Sequence, residues 1–486
     1  MTGLLLAPVV VPWLGALWIA AAGREPRACA RAAVIVALIT ALACAAVALI
    51  RPGELALFEI VPPVALVLRA DAAAVLFALT VAGLYALATI HAGSWLAAEG
   101  ARPRAFHVVF LVCLGAMLLV AFAANLVTLL VGYELFSLAS VLLIVHRRTP
   151  RALRAGLKYL LYVMPGSTLT LVGILMVYFA ADSLAFVPGG LSDWRAADDL
   201  LRAAWIALVA GFGVKAALFP LHGWVPDAHP AAPAPFSAIL SGVMVATGAF
   251  AIVRVLFEIF GLARLEAAGV MPWLSAAAAA GVIIAGVLAV GEDELKRRLA
   301  YSTISQMGYA TLALSLLDER ALAGALAHLS GHAFVKGGLF FVAGAIAAHA
   351  GVHRVSEMPG LGRRMPVTAA ALTLLALALI GLPPMVGFVA KWQLVSGAAG
   401  AGAWSALAVL LAGSVLAALY LWPLIRAAWS AAPESAVRHE PLDGMLIATL
   451  GACALALLFG IAAPWPGFPL ALAEQAAAVL TGGGGP

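Results

Sequence analysis

Apolar runs of about 20 residues recur along the whole chain, and their length constrains the fold more than any single motif. Twenty residues of α-helix rise about 30 Å, the thickness of the hydrocarbon core of a bilayer. Inside hydrocarbon every backbone N–H and C=O needs a partner within the protein, which leaves helices or a closed barrel. No strand-like alternation is sustained, so helices are expected. Fourteen runs qualify, at about 3–22, 31–50, 72–95, 106–124, 126–145, 156–181, 202–221, 234–258, 270–290, 298–317, 322–348, 367–395, 403–427 and 444–463. Only Asn125 divides the fourth from the fifth. The 486 residues are 64% hydrophobic and 10% charged, against about 25% charged in soluble domains. The chain therefore reads as an all-α polytopic membrane protein with no inserted soluble domain. Met1–Ala22 continues into a second span and reads as the first membrane helix, not as a cleaved signal.

The net charge of +5 belongs to the loops, so no nucleic-acid partner is inferred. One set of loops holds sixteen basic residues: Arg24, Arg27, Arg31, Arg102, Arg104, Arg147, Arg148, Arg151, Arg154, Lys296, Arg297, Arg298, Arg354, Arg363, Arg364 and Arg438. The opposite set holds six: Arg51, Arg69, Arg195, Arg202, Arg264 and Arg320. By the positive-inside rule the first set is cytoplasmic and both termini lie outside, as expected for a bacterial cytoplasmic membrane. Cys29, Cys44, Cys113 and Cys453 stand singly with no CxxC spacing, which supports neither a disulfide framework nor a metal cluster.

Two spans are interrupted alike. The seventh carries Lys215 and then Pro220, followed by His222, Trp224, Pro226, Asp227, His229 and Pro230. The twelfth carries Pro383 and Pro384, with Lys391 just beyond. Proline removes a backbone donor and breaks a helix. Broken helices five spans apart suggest two five-helix units, which an odd span number makes inverted. The expected division is 1–105 as an N-terminal three-helix segment, 106–258 and 259–427 as the two repeats, and 428–486 as a C-terminal helix and tail.

Charges inside these runs are costly, about 2.5–3.5 kcal/mol for a lysine on insertion scales, and mark ion or proton paths by default. Glu134 lies mid-way along the fifth run. Burial disfavours the charged form of a carboxyl or an amine, and an opposite charge nearby restores it. A Glu134–Lys215 pair would be a two-state device, or else a fixed ion pair joining two helices. His328, His332 and Lys336 stand at i, i+4 and i+8, one stripe of a helix. They read as a proton relay, since imidazole titrates near neutrality; the rival readings are core histidines bonded to carbonyls, or zinc. With no carboxylate beside them and Lys336 repelling a cation, no metal is expected. Lys391 follows a double-proline break and reads as channel-lining. Lys158 sits under the Arg147–Arg154 run, where snorkelling competes with a relay role.

At these residues the chain resembles the antiporter-like subunits of respiratory complex I, membrane-bound hydrogenases and the multisubunit Mrp cation/proton antiporters. The matching stretches are Tyr133–Ala139, Lys215–Ser237, Leu295–Gly308, the His328/His332/Lys336 stripe, and Gly381–Lys391. The resemblance implies 14 helices, inverted repeats with broken seventh and twelfth spans, and proton translocation. Residue by residue, Glu134 and Lys215 match the family's coupling pair, His332 and Lys336 its central relay, and Lys391 its outlet-side lysine. Many members carry a lysine in the eighth span where this chain has Ala246. Handover would then pass straight from Lys215 to the eleventh span, or through water near Ser241 and Thr247; His222, Pro220, Pro383 and Pro384 would shape the breaks. The expected function is a proton-translocating subunit of a Na+/H+ antiporter, most like the Mrp D type. The alternatives are a pump module of complex I or a hydrogenase, a membrane partner of an inorganic-carbon uptake system, and a structural scaffold. No cofactor and no redox chemistry are expected in the chain itself. The expected partners are other membrane subunits, the lipid bilayer, protons and Na+.

Overall fold

A computed structural model describes all residues except 1, 23–24, 62–63, 101, 196–197, 432–438 and 483–486; Arg24 and Arg438 therefore lie outside the described residues. Two helices, α1 (Leu6–Ala22) and α2 (Pro26–Ile50), lead into a hairpin of β1 (Leu55–Val61) and β2 (Val64–Leu68). Next come α3 (Ala72–Glu99), α4 (Pro103–Ala121), α5 (Leu126–Ile144), α6 (Pro150–Ala181), α7 (Asp198–Lys215) and α8 (Val225–Ala231). The eighth span is one rod, α9 (Ala234–Ile239) and α10 (Val245–Arg254), joined and ended by π-helical turns at Leu240–Met244 and Val255–Phe260. Then follow α11 (Leu262–Ala268), α12 (Met271–Gly291), α13 (Leu295–Leu314), α14 (Glu319–Ala350), α15 (Leu361–Arg364), α16 (Pro366–Ile380), α17 (Val386–Gly400), α18 (Trp404–Trp429), α19 (Gly444–Ile461) and α20 (Pro469–Leu480).

Eleven helices among the described residues are long and apolar enough to cross a membrane. The expected run at 202–221 stops at Lys215, and the run at 367–395 divides into α16 and α17 around Gly381–Met385. The expected absence of strands is corrected by the hairpin, whose antiparallel register runs from Leu55↔Leu68 to Val61↔Val64. Its strands are short and rich in β-branched and aliphatic residues, so they vanish inside a search for 20-residue runs. The helix α20 was not expected either: twelve residues rise only about 18 Å.

Helix starts follow the polar residues between runs. Asn125 accepts from Thr128 N at 2.8 Å, and so caps α5. Asp71 does the same for α3 and Asp318 for α14. The organising element is α14, in which every residue from Ala321 to Ile346 is buried. Small residues let neighbours approach it closely. A Cβ on Gly324 would lie 2.8 Å from Leu394 N of α17, and one on Gly338 would lie 2.7 Å from Leu375 of α16.

At the end of the bundle that carries the hairpin, the buried guanidinium of Arg254 binds Glu258 at 2.6 Å and Asp71 at 2.9 Å. Arg69 binds Glu258 at 2.5 Å, Asp71 at 3.0 Å and Phe186 O at 2.8 Å. This cluster ties α3, α10 and the hairpin together. Breaking one partner of a buried pair strands the other charge, at about 3–5 kcal/mol, whereas an apolar replacement of both is far milder. Arg254→Met is expected to lower the unfolding free energy by that amount, and Arg254→Met/Glu258→Leu to recover part of it, measured by denaturant titration in detergent micelles.

Candidate functional site

Lys215 is the last residue of α7. Beyond it Ala217 takes a left-handed backbone (φ 56°) and Pro220 supplies no donor, so the helix ends there. Trp224 Nε1 donates to Val214 O at 2.9 Å and folds the loop back on the final turn. The Lys215 ammonium is fully buried, donates to Ser137 Oγ of α5, and lies 4.1 Å from the Tyr133 ring and 4.7 Å from the Phe136 ring. Aromatic faces stabilise a cation through the ring quadrupole.

Glu134 follows Tyr133 on α5 and stands three residues before Ser137, within one turn of the hydroxyl that holds Lys215. It is half-buried beside the exposed Leu135 and Leu138. Its Oε1 is buried without a hydrogen-bond partner, and among the described residues it has no cation within salt-bridge distance. The expected Glu134–Lys215 pair is not closed into a salt bridge in this structure, although the helix that carries Glu134 meets Lys215 at Ser137.

The α14 stripe is buried throughout. The His328 and His332 rings lie 5.8 Å apart. His328 Nε2 meets Gln306 O at 3.2 Å and its ring stacks on Tyr309, while neither ring nitrogen of His332 has a partner. Lys336 Nζ donates to Leu299 O at 2.6 Å and to Ser302 Oγ at 2.5 Å. The second break serves Lys391. Gly381 (φ +102°) follows Ile380, and Pro383 and Pro384 supply no N–H, leaving the last carbonyls of α16 without helical partners. Lys391 Nζ takes two of them, Leu379 O and Ile380 O, each at 3.0 Å, where the helix dipole favours a cation. It also lies 4.8 Å from the Tyr309 ring and 3.5 Å from Ser414 Oγ.

One helix touches both ends of this row. Ser302, Gln306 and Tyr309 of α13 stand at i, i+4 and i+7; the Ser302 hydroxyl reaches Lys336, the Gln306 backbone carbonyl reaches His328, and the Tyr309 ring reaches Lys391. The one-face spacing was readable in the Leu295–Gly308 run, yet none of the three carries a charge that would single it out. Ser241 is brought into the same network through Thr303, at 2.7 Å. Thr247 instead bonds back to Val243 O of its own helix. Lys158 pairs with Asp227 at 2.6 Å, with side chains 41% and 36% exposed, at the bundle edge away from Lys215's partners. The His222 ring stacks on Phe219, next to the cis Phe219–Pro220 bond. His229, absent from the candidates, is fully buried with both ring nitrogens unpartnered and stacks on Phe340.

A cavity of about 550 Å³ opens at the basic-loop end and reaches Lys296, Pro230 and Gly344. Lys296 Nζ donates to Ala232 O at 2.8 Å. Asp293, on its rim, accepts from Ser356 Oγ at 2.8 Å and Ser356 N at 3.0 Å. Those hydrogen bonds hold its carboxyl below the usual carboxylate range.

Buried lysines at two helix breaks, joined by a histidine-bearing central helix, define an antiporter-like integral membrane subunit. Residues 123–417 match the family described as NADH:quinone oxidoreductase/Mrp antiporter, TM, and the chain belongs to it. It is 38% identical over 374 residues to NADH-quinone oxidoreductase subunit N of Desulforudis audaxviator, covering 74% of this chain and 71% of that one. It is 31% identical to hydrogenase-4 component B of Escherichia coli, covering 82% of this chain but only 63% of the longer relative. Among solved structures it overlays an archaeal membrane-bound sulfane sulfur reductase at TM-score 0.86, with 25% identity over 99% of this chain and 98% of that one. It overlays the Mrp complex of a Dietzia species at 0.87, with 22% identity over 99% and 98%, a likeness of fold alone.

Lys336 depends on the α13 hydroxyl for one of its two polar contacts. Hydrogen bonds to charged groups contribute about 1.5–3 kcal/mol. Ser302→Ala is expected to lower stability by that amount in thermal unfolding of the purified protein; an unchanged melt would show that Lys336 does not rely on it.

Proposed function

We propose that this chain moves protons across the membrane as one subunit of a multisubunit assembly. The observation that carries this reading is the environment of Lys215, Lys336 and Lys391. They are 0%, 0% and 8% exposed, and among the described residues none has a carboxylate within salt-bridge distance. Each ammonium is held by neutral oxygens or aromatic faces instead. A structural lysine in hydrocarbon would be fixed by a counter-ion; a lysine that must give up and regain a proton is better served by neutral acceptors.

The driving assembly in this reading is a redox enzyme of the quinone-oxidoreductase or hydrogenase type, because relatives at 30% identity or more carry those names. A cation/proton antiporter is the second reading, favoured by the full-length overlay on the Mrp complex. The neighbours in both solved assemblies are membrane subunits, and the half-exposed Glu134 marks an edge where one would pack. The division at 106–258 and 259–427 into inverted halves belongs to the same proposal, as does a cytoplasmic position for the basic loops and their 550 Å³ cavity.

Arginine keeps a lysine's positive charge but does not deprotonate in proteins. Lys336→Arg is therefore expected to leave the assembly intact and to reduce proton movement roughly a hundredfold, as is Lys215→Arg, measured with a pH-sensitive dye in proteoliposomes holding the whole assembly. Normal transport by folded Arg variants would reject the relay. Transport that responds to sodium but not to electron donors would favour the second reading over the first.

A further inference from the structure

A cavity of about 750 Å³ lies at the basic-loop end between α2, α3 and α4, away from the lysine row. Glu25, Arg27, Arg31, Gly93, Leu96 and His107 are among its walls. Arg27 and Arg31 stand one turn apart on α2 and are exposed. Neither has an ion-pair or hydrogen-bond partner for its guanidinium among the described residues, although Glu25 shares the cavity. The inner wall is His107, fully buried, with neither ring nitrogen bonded. An imidazole buried without a partner is a cost that a bound ligand would remove.

The face of α2 that carries the arginines changes chemistry along its length. After Arg27 and Arg31 the same stripe continues as Ile35, Leu38, Ile39 and Leu42, which are 51%, 46%, 48% and 71% exposed. Two guanidiniums above about two turns of bare aliphatic side chains match a phosphate above an acyl chain. Trp18 of α1, 54% exposed, stands near the same end, where tryptophan marks a membrane interface. Arginine forks match phosphate oxygens in pairs. A single carboxylate in an otherwise basic site suits a headgroup that also carries a primary amine.

We propose that this cavity binds the headgroup of one phospholipid. The phosphate lies between Arg27 and Arg31, with His107 behind it, the amine of an ethanolamine headgroup donates to Glu25, and an acyl chain runs along Ile35–Leu42. The site stands apart from the proposed proton row, so either reading can fail alone.

The test uses the whole assembly, stripped of lipid and moved into nanodiscs of mixed phosphatidylethanolamine and phosphatidylglycerol, with retained lipid counted by native mass spectrometry. A basic residue near a lipid surface is worth a factor of about five in affinity. Arg27→Gln/Arg31→Gln is expected to lower retention about 25-fold by the same scale, while Arg154→Gln, another exposed arginine at this end, leaves it unchanged. Glu25→Gln is expected to abolish the preference for ethanolamine over glycerol headgroups. Retention that survives loss of both arginines would overturn the site, as would an equal loss in the Arg154 control. Displacement of the lipid by millimolar inorganic phosphate would reassign it to a free anion, and a cross-link from position 27 or 31 to a neighbouring subunit would reassign it to a protein contact. A preference that persists in Glu25→Gln would overturn the role given to that carboxylate.

Discussion

An ammonium group buried in hydrocarbon and solvated by carbonyl and hydroxyl oxygens is the arrangement on which the rest of this structure depends. Each ammonium has three donors to satisfy and no acceptor of its own. Lys391 finds two carbonyls and a distant hydroxyl, Lys336 one carbonyl and one hydroxyl, Lys215 a hydroxyl and two ring faces. The contrast lies within the same molecule. Arg254 is equally buried, but two carboxylates hold it, and with Arg69 they form a closed knot. One set of contacts places acids beside each cation; the other supplies neutral oxygens and ring faces alone.

A carbonyl within a continuous helix is already bonded four residues on and can offer only its second lone pair, as Leu299 O does to Lys336. The second break frees carbonyls outright. Gly381 and the prolines stop α16 so that Leu379 and Ile380 present their carbonyls to Lys391. At the other break, α7 stops at Lys215 and α5 supplies the oxygen. The price is a weak backbone inside the bilayer, and both breaks are sheltered: Trp224 closes over the first, and the backbone of Pro384 lies against Gly460 of α19 at the second.

Much of this was legible in the sequence because hydrocarbon is an unforgiving solvent. Twenty-residue runs located the spans, and an isolated charge or proline inside them located Lys215, Glu134, Lys336, Lys391 and both breaks. Asn125, read as a bare interruption, is a cap. The hairpin stayed hidden because nine or ten aliphatic residues broken by prolines look like a fragment of a span. The α13 contributors stayed hidden because Ser302, Gln306 and Tyr309 are neutral, and a neutral polar residue in a helix is usually bonded to its own backbone, as Thr247 is. That Glu134 and Lys215 would stand on contacting helices without closing a salt bridge could not be read at all: spacing along a helix fixes which side chains share a face, not whether two charges close to contact.

The π-helical turn at Leu240–Met244 has a bearing on how this region can change over time. Such a turn accommodates one residue more than an α-helical turn of the same height. Each residue of α-helix rotates the following chain by about 100°. Losing a residue from the α-helical stretch ahead of Gly248 would turn Gly248 away from the Ala216 backbone it abuts and Arg254 away from Asp71, whereas loss within the π-turn would tighten it to an α-turn and keep both contacts in place. The eighth span thereby carries a slip joint: a change of one residue in its length can be taken up at this turn, while the faces on either side keep their partners.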